Sequence, residues 1–173
     1  MFKKITTKKL VLCGMFIALD ILLSRFLTFR IGPSQRMSLQ FLAHSMCGFY
    51  LGPVLGALTM MASDVIGFLI NSGGYAFFPG YILSAALSGI IYGLMLHDKP
   101  VKLWRTVASV STVTLIVTAL INNYWTSIFM ATPFWTVVVA KLPFTAIYWV
   151  VACVVTYIVL TAVSKIDILN PAK

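Results

Sequence analysis

The 173-residue chain contains no glutamate. Its acidic residues are only Asp20, Asp64, Asp98 and Asp167, against 13 Lys and Arg, for a formal charge of +9. Charged residues make up 10 % of the chain and apolar ones 60 %, whereas a soluble domain is about one quarter charged. That balance excludes a soluble globular domain. It also excludes disorder, which needs low hydrophobicity and high charge. No GxxxxGK[ST] loop is present, so ATP is not hydrolysed by that route. H-E-x-x-H, C-x-x-C and G-x-S-x-G are absent too, which removes the commonest zinc, dithiol and serine-nucleophile chemistries. Cys13, Cys47 and Cys153 lie singly in apolar runs and read as small packing residues. His44 and His97 are isolated in the chain, and His97-Asp98 reads as a polar pair at a helix end. Neither a metal nor another cofactor is implied.

What is present is a series of apolar runs. Residues 10–29 form the first, 20 residues or about 30 Å as helix, enough to cross a bilayer. The run is too long for a cleaved signal peptide, so it reads as a retained span. A polar loop over 30–38 contains Gly32-Pro33. Residues 39–51 and 54–70 follow, separated by Gly52-Pro53, where proline lacks the helical donor and restrains its neighbour. Asn71-Ser72-Gly73-Gly74 is a turn cluster. Further helices are expected over 79–96, 106–123 and 135–164, with an aromatic connection at 124–134 and a bend at Pro143. The expectation is an all-α membrane protein of one domain over 1–173, with six transmembrane helices.

The basic excess, which would suggest nucleic-acid binding in a soluble chain, here reports orientation. With both termini in the cytoplasm, Lys3, Lys4, Lys8, Lys9, Lys99, Lys102, Arg105, Lys165 and Lys173 lie inside, nine of the 13. The exceptions are Arg25, Arg30, Arg36 and Lys141, all toward the outer ends of their segments. A basic outer cluster reads as an anion site, since guanidinium pairs bidentately with carboxylate or phosphate. Arg30 and Arg36 flank Gly32-Pro33-Ser34-Gln35 and are equally suited to lipid headgroups. Arg25 lies inside its helix and must snorkel or find a partner.

Asp20 and Asp64 fall deep in apolar runs, where insertion of a charge costs about 2.5–3.5 kcal/mol. Asp64 has three readings: an ion pair with Arg25, a neutral acid, or an acceptor for the amino edge of a ligand ring. Asp20 either lines the same pocket or is structural. The outer connections carry Phe77-Phe78-Pro79-Gly80-Tyr81 and Asn122-Asn123-Tyr124-Trp125. These suit an interfacial aromatic belt or a stacking wall for a flat heterocycle, with Gly73 and Gly74 freeing a lid. Small residues recur every fourth position at Gly14/Ala18, Gly48/Gly52/Gly56 and Ala85/Gly89/Gly93. That spacing permits close helix approach, within this chain or against a partner.

Taken together, these marks resemble the substrate-binding components of energy-coupling factor (ECF) vitamin transporters, most of all the folate-specific members. The resemblance spans nearly the whole chain. It rests on Gly14-xxx-Ala18 with Arg25, F-Y-L-G-P-V-L-G over 49–56, Asp64-Val-Ile-Gly67, Phe77-Phe-Pro-Gly80 leading to Gly89-xxx-Gly93, and Asn123-Tyr-Trp125. It implies a multi-pass protein of the bacterial cytoplasmic membrane that binds a vitamin near the outer surface and is not an enzyme. It also implies a transmembrane coupling subunit, docked at Gly14 and Ala18, and two cytoplasmic ATPases. For folate, Arg25, Arg30 and Arg36 would face the glutamate tail, with Gln35 and Lys141 as further candidate binding residues. Asp64 would meet the pterin amino edge, Phe78 and Trp125 the ring faces, and Asn123 the ring edge, with Tyr81 a further candidate. The chain departs from the folate pattern in the doublet Asn122-Asn123 and in Lys141, where an arginine is expected. Riboflavin, pantothenate or a deazapurine remain alternative ligands. A membrane enzyme built on Asp20, Asp64 and His44, or a structural subunit, are the rival classes.

Overall fold

The computed structural model describes residues 7–30, 36–72 and 77–165. Helix α1 (Thr7–Ile21) continues as a π-helical stretch, Leu22–Phe26, closed by the Leu27 N–H on the Leu22 carbonyl at 3.1 Å. The first helix therefore ends three residues before the expected limit. The chain instead forms two short antiparallel strands, β1 (Thr28–Arg30) and β2 (Arg36–Ser38), with Thr28 opposite Ser38 and Arg30 opposite Arg36. This hairpin is the one departure from helix among the described elements. It marks one end of the bundle, called here the hairpin end.

Helix α2 (Gln40–Ile70) has one residue out of helical geometry, Gly52, at φ 78°. A side chain is strained at that φ, and Pro53 cannot donate to the helix. The chain folds back sharply there. A Cβ built on Gly56 would lie 3.6 Å from the Gly48 Cα, although eight residues along a straight helix span about 12 Å. The break expected from Gly52-Pro53 is thus a reversal, and α2 is two antiparallel rods. Pro53 leaves the Phe49 carbonyl without its helical partner, and His97 Nδ1 fills that place at 2.8 Å. His97, whose ring packs on Gly52, also reaches Asp98 at 3.3 Å.

Helix α3 (Gly80–Leu96) packs on this reversal through small residues. A Cβ on Gly89 would fall 2.8 Å from the Gly56 carbonyl, and one on Gly93 would fall 2.4 Å from Pro53. These two small-residue stripes serve packing inside the chain. The next rod is continuous: α4 (Leu103–Thr112), a π-helical stretch Val113–Asn122, and α5 (Asn123–Met130). The expected aromatic connection at 124–134 is helical as far as Met130. Nothing before Ala131 breaks it, and Thr126 and Ser127 tie their hydroxyls back to the Asn122 and Tyr124 carbonyls. The rod stops where Ala131 turns left-handed, just before Pro133. Helix α6 (Phe134–Ser164) completes the fold and carries Pro143 inside it.

Phe16, Met60, Tyr92, Leu96, Val110 and Leu160 form the fully buried centre. The outside is apolar as well: Val11, Leu115, Val139, Ile147, Val154 and Ile158 are all exposed. Leu103–Met130 and Phe134–Ser164 are each long and apolar enough to cross a membrane, and Gln40–Ile70 is as apolar but folds back at Gly52 into two shorter rods. Exposed apolar rods of this kind are matched to lipid, not to water.

Candidate functional site

A cavity of about 400 Å³ lies among α1's π-helical end, α2, α3, the Leu103–Met130 rod and α6. It reaches from Thr28 and Ser38 of the hairpin to Tyr92, Val110, Tyr148 and Ala152. The π-helical stretch contributes the neighbours Val113 and Thr114, then Val117 and Thr118, then Asn122, a recurrence every four or five residues as a widened helical turn presents one face.

Arg25 and Asp64 both line the cavity, and they touch: Nη2 lies 3.7 Å from Oδ1. Gly67 makes room, since a Cβ there would sit 3.2 Å from Arg25 Nε. The pairing with Arg25 read for Asp64 is thus made in the fold, and the place of Asp64 on the cavity wall suits the ligand-acceptor reading too. Lys141 lines the cavity too, and its Nζ donates to Thr126 Oγ1 at 3.2 Å. That hydroxyl passes its hydrogen to the Asn122 carbonyl at 2.7 Å and lies 3.3 Å from the Tyr81 hydroxyl. The ion pairs among the described residues are Arg25–Asp64, His44–Asp20 and His97–Asp98, so no carboxylate there neutralises Lys141.

Phe78 and Tyr81 line the cavity with rings 6.0 Å apart. Trp125 does not line it. It stands behind Phe78 at 5.5 Å and faces an outer apolar groove with Leu83, Leu87 and Phe134. Gly80 allows this, because a Cβ there would lie 2.5 Å from Phe78 and 2.6 Å from Trp125. Asn123 lines the cavity but commits its amide N–H to the Ala119 carbonyl at 3.0 Å. Its neighbour Asn122 is the better reader of a ligand edge, with a buried side-chain oxygen that has no hydrogen-bond partner among the described residues.

The side chains of Arg30 and Arg36, and all of Gln35, Gly73 and Gly74, lie outside the described residues. Asp20 does not reach the cavity; it is 1 % exposed and sits behind His44, which does. Phe144, Thr145 and Tyr148 are lining residues that sequence reasoning did not select, and His44, which also lines the cavity, was read only in the rival enzyme class. A helix-period reading from Lys141 gives Phe144, Thr145 and Tyr148 one face with it, a signal that was available. On α1, Gly14 and Ala18 are exposed, and a Cβ on Gly14 would meet nothing within 4 Å.

The lipid-matched helices and a cavity lined by both apolar and polar side chains fit a membrane-embedded binding component. Residues 8–160 match the family described as ECF transporter, substrate-specific component, and the chain belongs to that family. It is a transport component, not an enzyme. A protein named folate transporter FolT from Clostridium novyi (strain NT) is 31 % identical over 154 residues, 89 % of this chain and 88 % of that one. A second protein of that name, from Leuconostoc mesenteroides subsp. mesenteroides, is 36 % identical over 127 residues, 72 % of this chain and 66 % of the other. Among solved structures, FolT bound with folic acid superposes with a TM-score of 0.80 at 28 % identity, covering 88 % of this chain and 92 % of that one. The S component for biotin from an ECF-type transporter shares the fold at a TM-score of 0.64 and 22 % identity, over 93 % and 95 % of the two chains.

Proposed function

We propose that the chain captures folate from outside the cell and delivers it through an ECF-type uptake complex. The observation that carries this reading is Lys141, a cation on the cavity wall that no described carboxylate neutralises. A ligand with an anionic tail supplies the missing charge. The relatives named as folate transporters support the choice of tail and ring.

In this reading Lys141 takes a carboxylate of the glutamate tail near the hairpin end, together with Arg30, Arg36 and Gln35. Phe78 and Tyr81 cover the pterin faces, and Trp125 stiffens Phe78 from behind. Asn122 and Asn123 meet the ring edge, and Asp64 accepts from its amino group. Arg25 touches Asp64, so these two groups cannot hold opposite ends of one extended ligand. Arg25 therefore orients the Asp64 carboxylate instead of gripping the tail.

The chain is one domain of six transmembrane helices, counting α2 as two because of its reversal at Gly52. The nine basic residues toward the termini end put both termini in the cytoplasm of a bacterial cell. The open face of α1 at Gly14 and Ala18 suits a transmembrane coupling subunit. Binding is passive, and two cytoplasmic ATPases supply the energy.

Titration of the purified chain in detergent with folic acid and with riboflavin, followed by Trp fluorescence, tests the ligand. The expected result is saturable quenching at one equivalent of folic acid and none with riboflavin. A response to riboflavin alone keeps the architecture and discards the ligand. Silence toward both defeats the vitamin assignment.

A further inference from the structure

Asp20, His44 and Ser88 are far apart in sequence, yet they form one line of contacts across three helices. Ser63 Oγ donates to Asp20 Oδ2 at 2.6 Å. Asp20 Oδ1 lies 3.3 Å from His44 Nε2, and His44 Nδ1 lies 2.5 Å from Ser88 Oγ. Ser88 Oγ is in turn 2.8 Å from the Ala85 carbonyl. His44 and Ser88 line the cavity, whereas Asp20 and Ser63 are each 1 % exposed behind them.

Proton counting orients this line. A bare carboxylate buried at membrane depth is costly, and the basic group against Asp20 is His44. A neutral Asp20–His44 couple holds two protons. One faces the 3.3 Å gap between Oδ1 and Nε2, which is not closed by an aligned hydrogen bond, and can belong to either atom. The other then sits on Nδ1, which donates to Ser88. A serine hydroxyl has one hydrogen, and Ser88 gives it to the Ala85 carbonyl. What Ser88 has left for the cavity is a lone pair. Gln40, whose amide lies 3.2 Å from Nε2, accommodates either position of the shared proton by a half-turn.

We propose that Ser88, held in this orientation by the Asp20–His44 couple, is a specificity-determining acceptor for a ligand N–H. The inference rests on the folate reading and adds the orientation of the ligand. Ser88 lies eight residues into α3 from Gly80, about 12 Å below its start. The Lys141 ammonium meets Thr126 and Tyr81 nearer the hairpin end. An aminated heterocycle brings N–H donors to the Ser88 wall; a carboxylate brings none and is repelled. The ring therefore enters first and the acidic tail stays at the cation.

Two arms test this. In the full chain labelled with 15N-histidine, without ligand, the ring signals lost in His44→Gln belong to His44. Nδ1 is expected to carry a hydrogen, and a bare Nδ1 overturns the proposal. In the second arm, Ser88→Ala is expected to bind folic acid about tenfold more weakly, with an unchanged melting temperature. Unchanged affinity overturns the proposal. His44→Gln is expected to weaken binding as well, but to cost nothing further in a Ser88→Ala background; additive losses show that His44 does not act through Ser88. Where His44→Gln does not fold, Ser88→Ala decides. An unsubstituted chain that ignores folic acid defeats the reading of function instead, and the ring nitrogens still decide the inference because they need no ligand.

Discussion

Single side chains carry the ligand assignment. Lys141 has a hydroxyl for a neighbour and no carboxylate among the described residues, so its charge is free to meet a ligand anion. Lys141→Met should weaken folic acid binding by about 10–100-fold, the loss expected for one charge-assisted hydrogen bond, with little change in melting temperature. Calorimetric titration in detergent checks it; an equal loss for an uncharged pterin fragment would show the loss is not the tail's. Asp64→Asn should weaken binding of folic acid more than it lowers expression. Unchanged affinity would remove Asp64 from the ligand. The charged inventory was legible in the sequence because charges are rare in apolar runs. The pairs Arg25–Asp64 and His97–Asp98 were among the readings, but the pair Asp20–His44 was not. Asp20 and His44 meet only through the rotation of two helices that are apolar on nearly every face, and such helices leave no hydropathy signal of which side turns inward.

At the level of helices, the punctuation by Gly and Pro was readable and its consequence was underestimated. Gly52-Pro53 announced a break, and the structure makes it a complete reversal. Gly52→Ala should lower the melting temperature by several degrees, because alanine is strained at a φ of 78° and its Cβ would lie 2.9 Å from the His97 ring. A thermal melt of the purified chain measures it. The aromatic segment at 124–130 was read as a connection because it is rich in interfacial residues. It is helical because no breaker precedes Ala131, and local hydroxyl bonds support the turn. That continuation carries Trp125 behind Phe78. Gly80→Ala should push both rings out of place, reducing affinity for folic acid together with the fluorescence response of Trp125. A full response with wild-type affinity would mean the rings relax without cost.

For the whole molecule, family and architecture were more legible than any residue's role. They rest on an ordered set of motifs along the chain, which survives errors in single contacts. Of the three small-residue stripes, those around Gly56 and Gly89 are consumed by packing within the chain, and the one at Gly14 and Ala18 is left open. Gly14→Leu should therefore leave folic acid binding unchanged while abolishing co-purification with the proposed coupling subunit. Loss of binding in that variant would instead place Gly14 in the fold of the cavity.

The contact between His97 and the Phe49 carbonyl has a consequence for biogenesis. The reversal of α2 is closed by a residue that the ribosome adds 48 positions later. Until α3 has been made and threaded, the first two-thirds of this region enters the bilayer with an orphaned carbonyl at its turn. Chains truncated just before and just after His97 should then differ sharply in resistance to limited proteolysis, and equal resistance would show that the turn closes without this contact.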